Sequence, residues 1–182
     1  MTTTLETPPL DPASLPHGAA DQFERLRGIA VTRTGLLDTG SEERFDRITR
    51  SAAQRFDVPF AFLTLLVDDR QYVKSMVGRV DREVPREAAF CNVTIRSEDG
   101  LVVPDMLDHP SFRTNPFVAG PPHVRFYAGM PLRGPGGWFV GSLCVLNTRP
   151  QEFTDADRRA LRRLTERAEL ELNRHPAGQV PQ

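Results

Sequence analysis

The sequence lacks an excess of charge of one sign, and it lacks any long apolar run. Its 182 residues include 23 basic and 24 acidic side chains, which gives a formal net charge of -1. Without a positive field, nothing gathers nucleic acid or an anionic membrane surface, so neither is expected as a partner. No stretch approaches the roughly 20 apolar residues that cross a bilayer, and the first residues lack the pattern of a signal peptide. We therefore expect a soluble, cytoplasmic protein.

Cysteine is also scarce. Only Cys91 and Cys144 are present, each in an apolar segment, which excludes a disulfide framework in a reducing compartment. Neither has a second cysteine or a histidine at the spacing of zinc ligands, because His109 and His123 lie in separate loop-like stretches. We expect no metal, and the sequence identifies no cofactor.

The two ends of the chain differ in composition from its middle. Residues 1–20 include four Thr and four Pro together with Asp, Ser and Gly, and residues 176–182 have a similar look. Such segments bury too little apolar surface to offset the entropy lost on ordering. The sequence therefore predicts a disordered leader, a single domain over residues 21–175 and a disordered tail.

Three segments have the apolar periodicity of amphipathic helices. A short helix is predicted around residues 22–31. A second begins at a capping box formed by Thr39 and Glu42 and ends near Phe56. A third begins at a capping box at Thr154, and its apolar stripe either covers a sheet or pairs with a second copy of the helix.

Apolar segments between these helices predict strands at residues 60–67, 71–77, 101–103, 124–132 and 138–146. The dipeptide Asp68-Asp69 joins the first two strands in a hairpin, and the turn-forming residues 133–137 join the last two. Together these elements predict an α/β protein of the α+β type, with a partly antiparallel sheet covered by helices.

Several short motifs then occur in a specific order. The first half contains Leu36-Leu37-Asp38-Thr39, Glu43, Phe45-Asp46, Val67-Asp68, Arg70-Gln71 and Lys74-Ser75. The second half contains Pro85-Arg86-Glu87, Phe90-Cys91, Val102-Val103-Pro104-Asp105, Asn115-Pro116, the run from Phe126 to Leu132, and the run from Gly141 to Val145. Over about Phe23–Asn173, this series resembles the GAF family, in particular the bacterial type found beside histidine kinases and cyclic-dinucleotide enzymes.

The resemblance implies a GAF/PAS-like antiparallel sheet of about six strands, with the first and last helices packed together on one face and a pocket on the other. It also implies that terminal helices often form a dimer bundle. The sequence departs from the family after Phe90-Cys91, where a small residue followed by His is usual but Asn92-Val93 stands here, and at Asn147, which replaces an aspartate. The missing imidazole argues against an acid-base or metal role carried over from relatives.

Six residues are candidates for ligand binding, namely Lys74, Cys91, Asn92, Asp105, Arg125 and Tyr127. Strand alternation places Arg125 and Tyr127 on one face, opposite Val124. An arginine and a phenol between apolar walls suit a small polar or anionic ligand. Alternatively, Arg125 pairs with Asp105 and only fixes the loops.

Cys91 has two interpretations. It is either a small buried hydrophobic residue or an exposed thiol, with a pKa lowered by Arg86, that senses redox state or anchors a ligand. Cys144, within an apolar run, is predicted to belong to the core.

The leading hypothesis is a small-molecule-sensing or signal-relay domain, without catalytic activity or an attached output domain, acting through its terminal helices on a dimer mate or a signalling partner. One alternative is a cysteine-based redox enzyme of the free methionine sulfoxide reductase type, which needs two thiols within reach of each other, whereas Cys91 and Cys144 are separated in the sequence. A ligand-free dimerisation module is another. A bilin-binding photoreceptor is a further option, but its Asp-Ile-Pro motif is absent.

Overall fold

The computed structural model describes residues 18–174. Residues 1–17 of the predicted leader and the whole predicted tail, residues 176–182, lie outside this part of the chain. The first helix begins at Ala19, so the last two residues of the predicted leader belong to a helix.

Six strands form one sheet at the centre of the fold. They are β1 (Phe60–Val67), β2 (Arg70–Val77), β3 (Glu83–Pro85), β4 (Leu101–Val103), β5 (Phe126–Arg133) and β6 (Phe139–Asn147). Their order across the sheet is β3-β2-β1-β6-β5-β4, and every neighbouring pair is antiparallel. The predicted antiparallel sheet is confirmed, and the short β3 is a strand that the sequence pattern did not indicate.

Strand β1 separates two apolar clusters, because successive side chains of a strand point to opposite faces. Ala61, Leu63 and Leu65 belong to a helix-side cluster. Phe62 and Leu66 belong to a second cluster on the opposite face. Because β1 is buried on both faces, its sequence is apolar almost throughout and does not alternate between apolar and polar residues.

The helices divide between the two faces of the sheet. They are α1 (Ala19–Arg33), α2 (Glu43–Phe56), α3 (Cys91–Thr94), α4 (Pro116–Ala119) and α5 (Asp155–Leu172). The long helices α1, α2 and α5 cover the helix-side cluster, whereas α3 and α4 contribute to the opposite one. Helix α5 packs beside α2, and α1 packs on β1 and β6. The resemblance implied that the first and last helices pack together, but here the neighbour of the last helix is α2. In residues 18–174, no helix is both long and apolar enough to cross a membrane.

Helix α2 begins later than the sequence predicted. Its N-cap is Glu42, and no side chain caps it. The hydroxyl of Thr39 instead donates to the carbonyl oxygen of Leu36 at 2.8 Å and accepts from Nζ of Lys74 at 2.6 Å. The predicted capping box of Thr39 and Glu42 is therefore wrong, because the hydroxyl has partners outside the helix.

Helix α5 begins as the sequence predicted. Thr154 Oγ1 accepts from the backbone N–H of Asp157 at 3.2 Å, and the Asp157 carboxylate accepts from the backbone N–H of Thr154 at 3.1 Å. The apolar stripe of the helix is buried, with Leu161, Ala168 and Leu172 in the helix-side cluster. Of the two predicted uses of this stripe, the protein shows the first, since the stripe covers the sheet.

Candidate functional site

A cavity of about 600 Å³ lies on the sheet face opposite the three long helices. Its inner wall consists of side chains from β1, β2, β5 and β6, and its outer wall of residues from two segments, 79–91 and 117–124. The wall is largely apolar and includes the rings of Phe60, Phe62, Phe90 and Phe117. Clefts of this size and character are typical of small-molecule sites.

Aromatic packing holds the outer wall against the sheet. The ring of Phe90 meets Tyr127 edge to face at a centroid distance of 5.4 Å and Phe112 at 5.5 Å. Such pairs add about 0.5–1.5 kcal/mol to the free energy gained by burial alone. The segment just before α3 is thereby fixed over β5.

A small polar cluster lies within this apolar surface. Cys91, at the start of α3, and Cys144, on β6, both line the cavity, and their sulfur atoms are 3.8 Å apart. The phenol of Tyr127 is 3.5 Å from the sulfur of Cys91 and 2.6 Å from the hydroxyl of Thr94. Elsewhere in the described chain as well, no three His, Cys, Asp or Glu side chains are grouped so that they could hold a metal ion.

The two thiols have different proton affinities. Hydrogen bonding with Cys144 lowers the pKa of Cys91 to about 6, with help from nearby hydroxyl groups and against the opposing effect of burial. The same contact with Cys91, together with burial, raises the pKa of Cys144. Arg86, which we predicted to lower the pKa of Cys91, instead contacts Glu24 and Asn92. Cys91 is the thiol of the pair that ionises first.

Gln71 lines the cavity and has a buried hydrogen-bond acceptor without a partner in the described part of the protein. Its side chain on β2 is only 6% exposed and lines the inner wall. Among the described residues, its Oε1 is the buried side-chain oxygen that has no hydrogen-bond partner. Leaving a buried polar atom unpaired costs about 1–3 kcal/mol, so a ligand that donates to it would gain this energy back. Arg79 and Asp81, both exposed, lie at the rim.

Of the six predicted ligand-binding residues, the cavity wall includes Cys91 and Tyr127. Lys74 is fully buried on the helix side of the sheet. Its Nζ donates to three oxygens just before α2, those of Thr39 at 2.6 Å, Gly40 at 2.8 Å and Glu42 at 2.6 Å. Ser75 pairs with Leu63 but Val73 pairs with Thr64, so Lys74 is the extra residue of a β-bulge. Tyr72 belongs to the helix-side cluster, so alternation along β2 already places Lys74 on that side. The bulge brings Ser75 to the same side, where its hydroxyl bonds Thr49 on α2.

Arg125 lies outside the cavity wall, contrary to the predicted shared face with Tyr127. Strand β5 begins one residue after Arg125, so the alternation that applies to Tyr127 does not extend back to it. The cavity is lined instead by Val124, which the sequence placed on the other face. The predicted pair with Asp105 is also absent within the described residues, because the guanidinium donates to the carbonyl oxygens of Val118 and Val124.

Asn92 and Asp105 likewise do not line the cavity. Asn92 Oδ1 accepts from Nε of Arg86 at 2.9 Å, and Asp105 Oδ1 accepts from the backbone N–H of Leu107 at 3.0 Å. Both side chains thus have local structural partners. Their role in ligand binding, like that of the other four, stays a prediction.

A chain of ion pairs and hydrogen bonds joins the outer wall of the cavity to α1. Arg86 donates to Asn92 on α3 and to the carboxylate of Glu24 on α1. Glu24 also accepts from Arg27, which is 1% exposed and donates to the carbonyl oxygen of Leu66 at 2.7 Å. Although burial raises the pKa of Glu24, hydrogen bonds from both arginines lower it to about 2. The network therefore stays charged at neutral pH.

The sequence did not identify Gln71 and Cys144 as site residues. Cys144 was assigned to the core and is buried, but it also faces the cavity, as alternation with the core residues Leu143 and Val145 would have indicated. Its separation of 53 residues from Cys91 concealed the contact between them. Treating the two thiols as separated was wrong, because the antiparallel sheet and α3 bring them together.

The family comparison agrees with this fold. A family model described as the GAF domain matches residues 41–172. A cyclic di-GMP phosphodiesterase of Pseudomonas aeruginosa is 38% identical over 128 residues, which are 70% of this chain and 22% of that protein. The chain thus spans less than a quarter of the length of this curated relative.

Solved structures with the same fold include two proteins of different activity. A type II free methionine-R-sulfoxide reductase from Thermoplasma acidophilum aligns with a TM-score of 0.58 and 12% identity over 81% of this chain and 94% of that one. The GAF domain of an Acinetobacter phosphoenolpyruvate-protein phosphotransferase aligns with a TM-score of 0.57 and 15% identity over 81% of this chain and 92% of that one. The TM-scores show that the fold is shared. Identities this low carry no further information about activity.

Proposed function

The chain belongs to the GAF domain family, and on this premise we propose that it is a small-molecule-sensing or signal-relay domain that acts without catalysing a reaction. The ligand enters the cavity on the sheet face opposite the three long helices. Its binding is passed through the terminal helices to a partner, which is a second copy of the chain or a separate signalling protein.

The observation that supports ligand binding most directly is the unpaired Oε1 of Gln71, a residue in the wall of a largely apolar cavity. A side chain that only stabilised the fold would have its acceptor satisfied by a neighbour. The volume of about 600 Å³ suits a molecule of metabolite size. The ligand has apolar surface for the aromatic wall and an N–H or O–H group for Gln71.

The contacts of Arg86 support the relay. Arg86 bonds Asn92, the neighbour of Cys91 in the cavity wall, and it also bonds Glu24 on α1. A ligand that displaces the outer wall moves Asn92, and the charged contact between Arg86 and Glu24 carries that movement to the first helix. Charge-assisted hydrogen bonds of this kind are stronger and more directional than neutral ones.

Ligand binding is tested by thermal shift against a panel of cyclic nucleotides, amino acids and metabolites. We expect Gln71→Leu to abolish the stabilisation given by any active compound and to raise the melting temperature of the ligand-free protein, because an unpaired buried acceptor is removed. Gln54→Leu makes the same change at an exposed position on α2 and should leave both values nearly unchanged. A panel without effect, together with an empty cavity in protein purified from its own host, contradicts the proposal.

The relay has a separate readout. Once an active compound is known, it should slow amide hydrogen exchange in α1 of the wild type but not in Glu24→Gln, in which the contact with Arg86 is weakened. Glu152→Gln removes a carboxylate from an exposed loop and serves as the control. Equal protection of α1 in all three proteins would contradict a relay through this contact.

Reduction of free methionine sulfoxide is the enzymatic alternative, and it stays a prediction. The proximity of Cys91 and Cys144 favours it, since the sulfur atoms are 3.8 Å apart. Thioredoxin-coupled oxidation of NADPH in the presence of free methionine sulfoxide measures this activity directly. Turnover that disappears in Cys91→Ser would support an enzyme, and a wild type without turnover would exclude this reaction.

A further inference from the structure

Cys91 and Cys144 form an isolated pair of thiols in the wall of a cavity. They are the only cysteines of the chain, they lie 53 residues apart in the sequence, and their sulfur atoms are 3.8 Å from each other. Cys91 is 3% exposed and Cys144 is 1% exposed, but both line the cavity of about 600 Å³. A small reagent can therefore reach them only by entering this cavity.

We propose that Cys91 and Cys144 are a redox-sensing site, which a hydroperoxide small enough to enter the cavity converts into an intramolecular disulfide. This inference is independent of the ligand discussed above. It requires neither a second substrate nor a partner protein, and one molecule of oxidant is consumed for each pair of thiols.

The oxidation occurs in two balanced steps. The Cys91 thiolate attacks the terminal oxygen of the hydroperoxide, the S–O bond forms, the O–O bond breaks, and the alkoxide or hydroxide that leaves takes up a proton. The thiol of Cys144 then attacks the sulfur of the resulting sulfenic acid, the S–S bond forms, and the oxygen leaves as water with the proton of Cys144. Overall, two thiols and one hydroperoxide give one disulfide, one alcohol or water, and one water.

The surroundings determine which thiol reacts first. The sulfur of Cys91 accepts a hydrogen bond from Tyr127 and is in hydrogen-bond contact with Cys144, and a donor on either side favours its thiolate. Tyr127 is itself held by Thr94 at 2.6 Å, so the phenol stays directed at this end of the cavity. Cys91 is accordingly the attacking thiol and Cys144 the resolving one.

Formation of the disulfide changes the wall of the cavity. The sulfur atoms must approach from 3.8 Å to about 2 Å, so α3 moves toward β6 or both side chains change rotamer. Asn92, next to Cys91, is bonded to Arg86, which is bonded to Glu24 on α1. Oxidation therefore acts on the same contacts that join the cavity to the first helix.

The test uses the full chain, reduced and then treated with hydrogen peroxide. The protein is afterwards unfolded in iodoacetamide and its intact mass is measured. We expect the wild type to lose both alkylation sites together with the mass of two hydrogen atoms, to remain monomeric on a gel without reductant, and to yield a peptide that links Cys91 to Cys144. Dithiothreitol should restore both alkylation sites.

Single variants assign the two roles. In Cys144→Ser the sulfenic acid of Cys91 cannot be resolved, so dimedone should label Cys91. In Cys91→Ser the remaining thiol should react with neither peroxide nor dimedone within the same time. Circular dichroism establishes that each variant is folded before it is scored.

The wild type alone is sufficient to refute the proposal, so the outcome does not depend on the folding of a variant. Two alkylatable thiols after treatment, oxidation to sulfinic acid without a disulfide, or a disulfide that joins two chains would each overturn it. So would a linked peptide that forms only under conditions in which the protein is unfolded.

Discussion

At the scale of single residues, Lys74 is a buried cation that bonds the segment before α2, and it does not line the cavity. It is the only lysine of the chain, it is fully buried, and its Nζ is 2.6 Å from Glu42 Oε1. This role comes from the oxygens of Thr39, Gly40 and Glu42 that surround its ammonium group, and these residues precede it in the chain by 32 to 35 positions. Local sequence spacing could not have revealed it.

We expect Lys74→Met to lower the free energy of unfolding by about 2–4 kcal/mol, because the oxygens of Thr39, Gly40 and Glu42 lose their buried donor. Glu42 keeps its contact with Arg44. Urea denaturation measures the loss. Adding Glu42→Gln to Lys74→Met should recover part of it, since the carboxylate oxygen that has lost Lys74 then belongs to a neutral amide. If the double variant loses as much free energy of unfolding as Lys74→Met and Glu42→Gln lose together, the two side chains are not coupled.

Glu24 makes the stability of the fold sensitive to acid. Arg27 and Arg86 lower its pKa from 4.5 to about 2, against the opposing effect of burial. A carboxyl group with a depressed pKa in the folded state contributes stability that is present above pH 4.5 and is lost as the pH falls toward 2.

We therefore expect the melting temperature of the wild type to fall more steeply between pH 5 and pH 3 than that of Glu24→Gln, whose side chain does not titrate. Glu152→Gln, in an exposed loop, should follow the wild type. Parallel curves for the wild type and Glu24→Gln over this range would show that the carboxyl group makes no such contribution.

At the scale of secondary-structure elements, the capping of α5 was predictable but that of α2 was not. Both begin after a Thr followed three residues later by an acid. Thr154 forms the reciprocal bonds with Asp157, whereas Thr39 is held by Leu36 and Lys74. The local pattern is the same, and only tertiary contacts distinguish the two cases.

Thr154→Ala should reduce the free energy of unfolding by about 1 kcal/mol, the typical effect of removing a helix N-cap. Thr114→Ala, at an exposed loop position, is the matched control and should have little effect in the same urea titration. An effect of Thr154→Ala no larger than that of Thr114→Ala would mean that the capping box adds no stability.

The contact between β1 and β6 leaves no room for a side chain at Gly141. A Cβ atom there would lie 1.8 Å from the backbone oxygen of Thr64. We expect Gly141→Ala to destabilise the fold by about 3 kcal/mol or more, because the obstacle is backbone at the centre of the sheet.

Gly28 in α1 is the opposite case, since nothing lies within 4 Å of its added Cβ. Gly28→Ala should stabilise the protein by about 0.5–1 kcal/mol through helix propensity. Comparing the two substitutions by chemical denaturation separates close packing from backbone flexibility, and changes of the same sign would contradict this account.

At the scale of the whole molecule, the predicted homodimer must use residues that the fold leaves exposed. The stripe of α5 is buried against the sheet, so it is not available for a partner. Leu26 and Ile29 on α1 and Leu170 on α5 are the large apolar side chains that remain exposed on the terminal helices, and Leu170 is 70% exposed. These positions are where a dimer mate would be detected.

Sedimentation velocity at several concentrations measures the oligomeric state. If the dimer uses α5, we expect Leu170→Glu to shift the wild type toward the monomer without lowering its melting temperature, because a charge is placed at an exposed site. Leu107→Glu makes the same change at an exposed position outside the terminal helices. A wild type that is monomeric at every concentration would refute the predicted dimer.

The sheet, the long helices and the family could be predicted because they depend on local patterns, such as the apolar run of β1 and the capping box of α5. The cavity could be predicted only in outline. Tyr127 lies within a regular strand and lines the cavity, but alternation failed for Arg125, which lies just before a strand. Lys74 instead contacts oxygens just before α2. The contact between Cys91 and Cys144 requires the long-range pairing of the sheet, which no local pattern encodes.

The cavity and the helix-side cluster are built from different residues, so their sequences can change independently in evolution. Within the described residues, none that lines the cavity belongs to the helix-side cluster. Substitutions at Phe62 or Met76 can thus remodel the cavity while the side chains that hold the long helices to the sheet are kept. One half of the molecule can therefore diversify in sequence, or be redesigned for a new ligand, on a scaffold that the other half preserves.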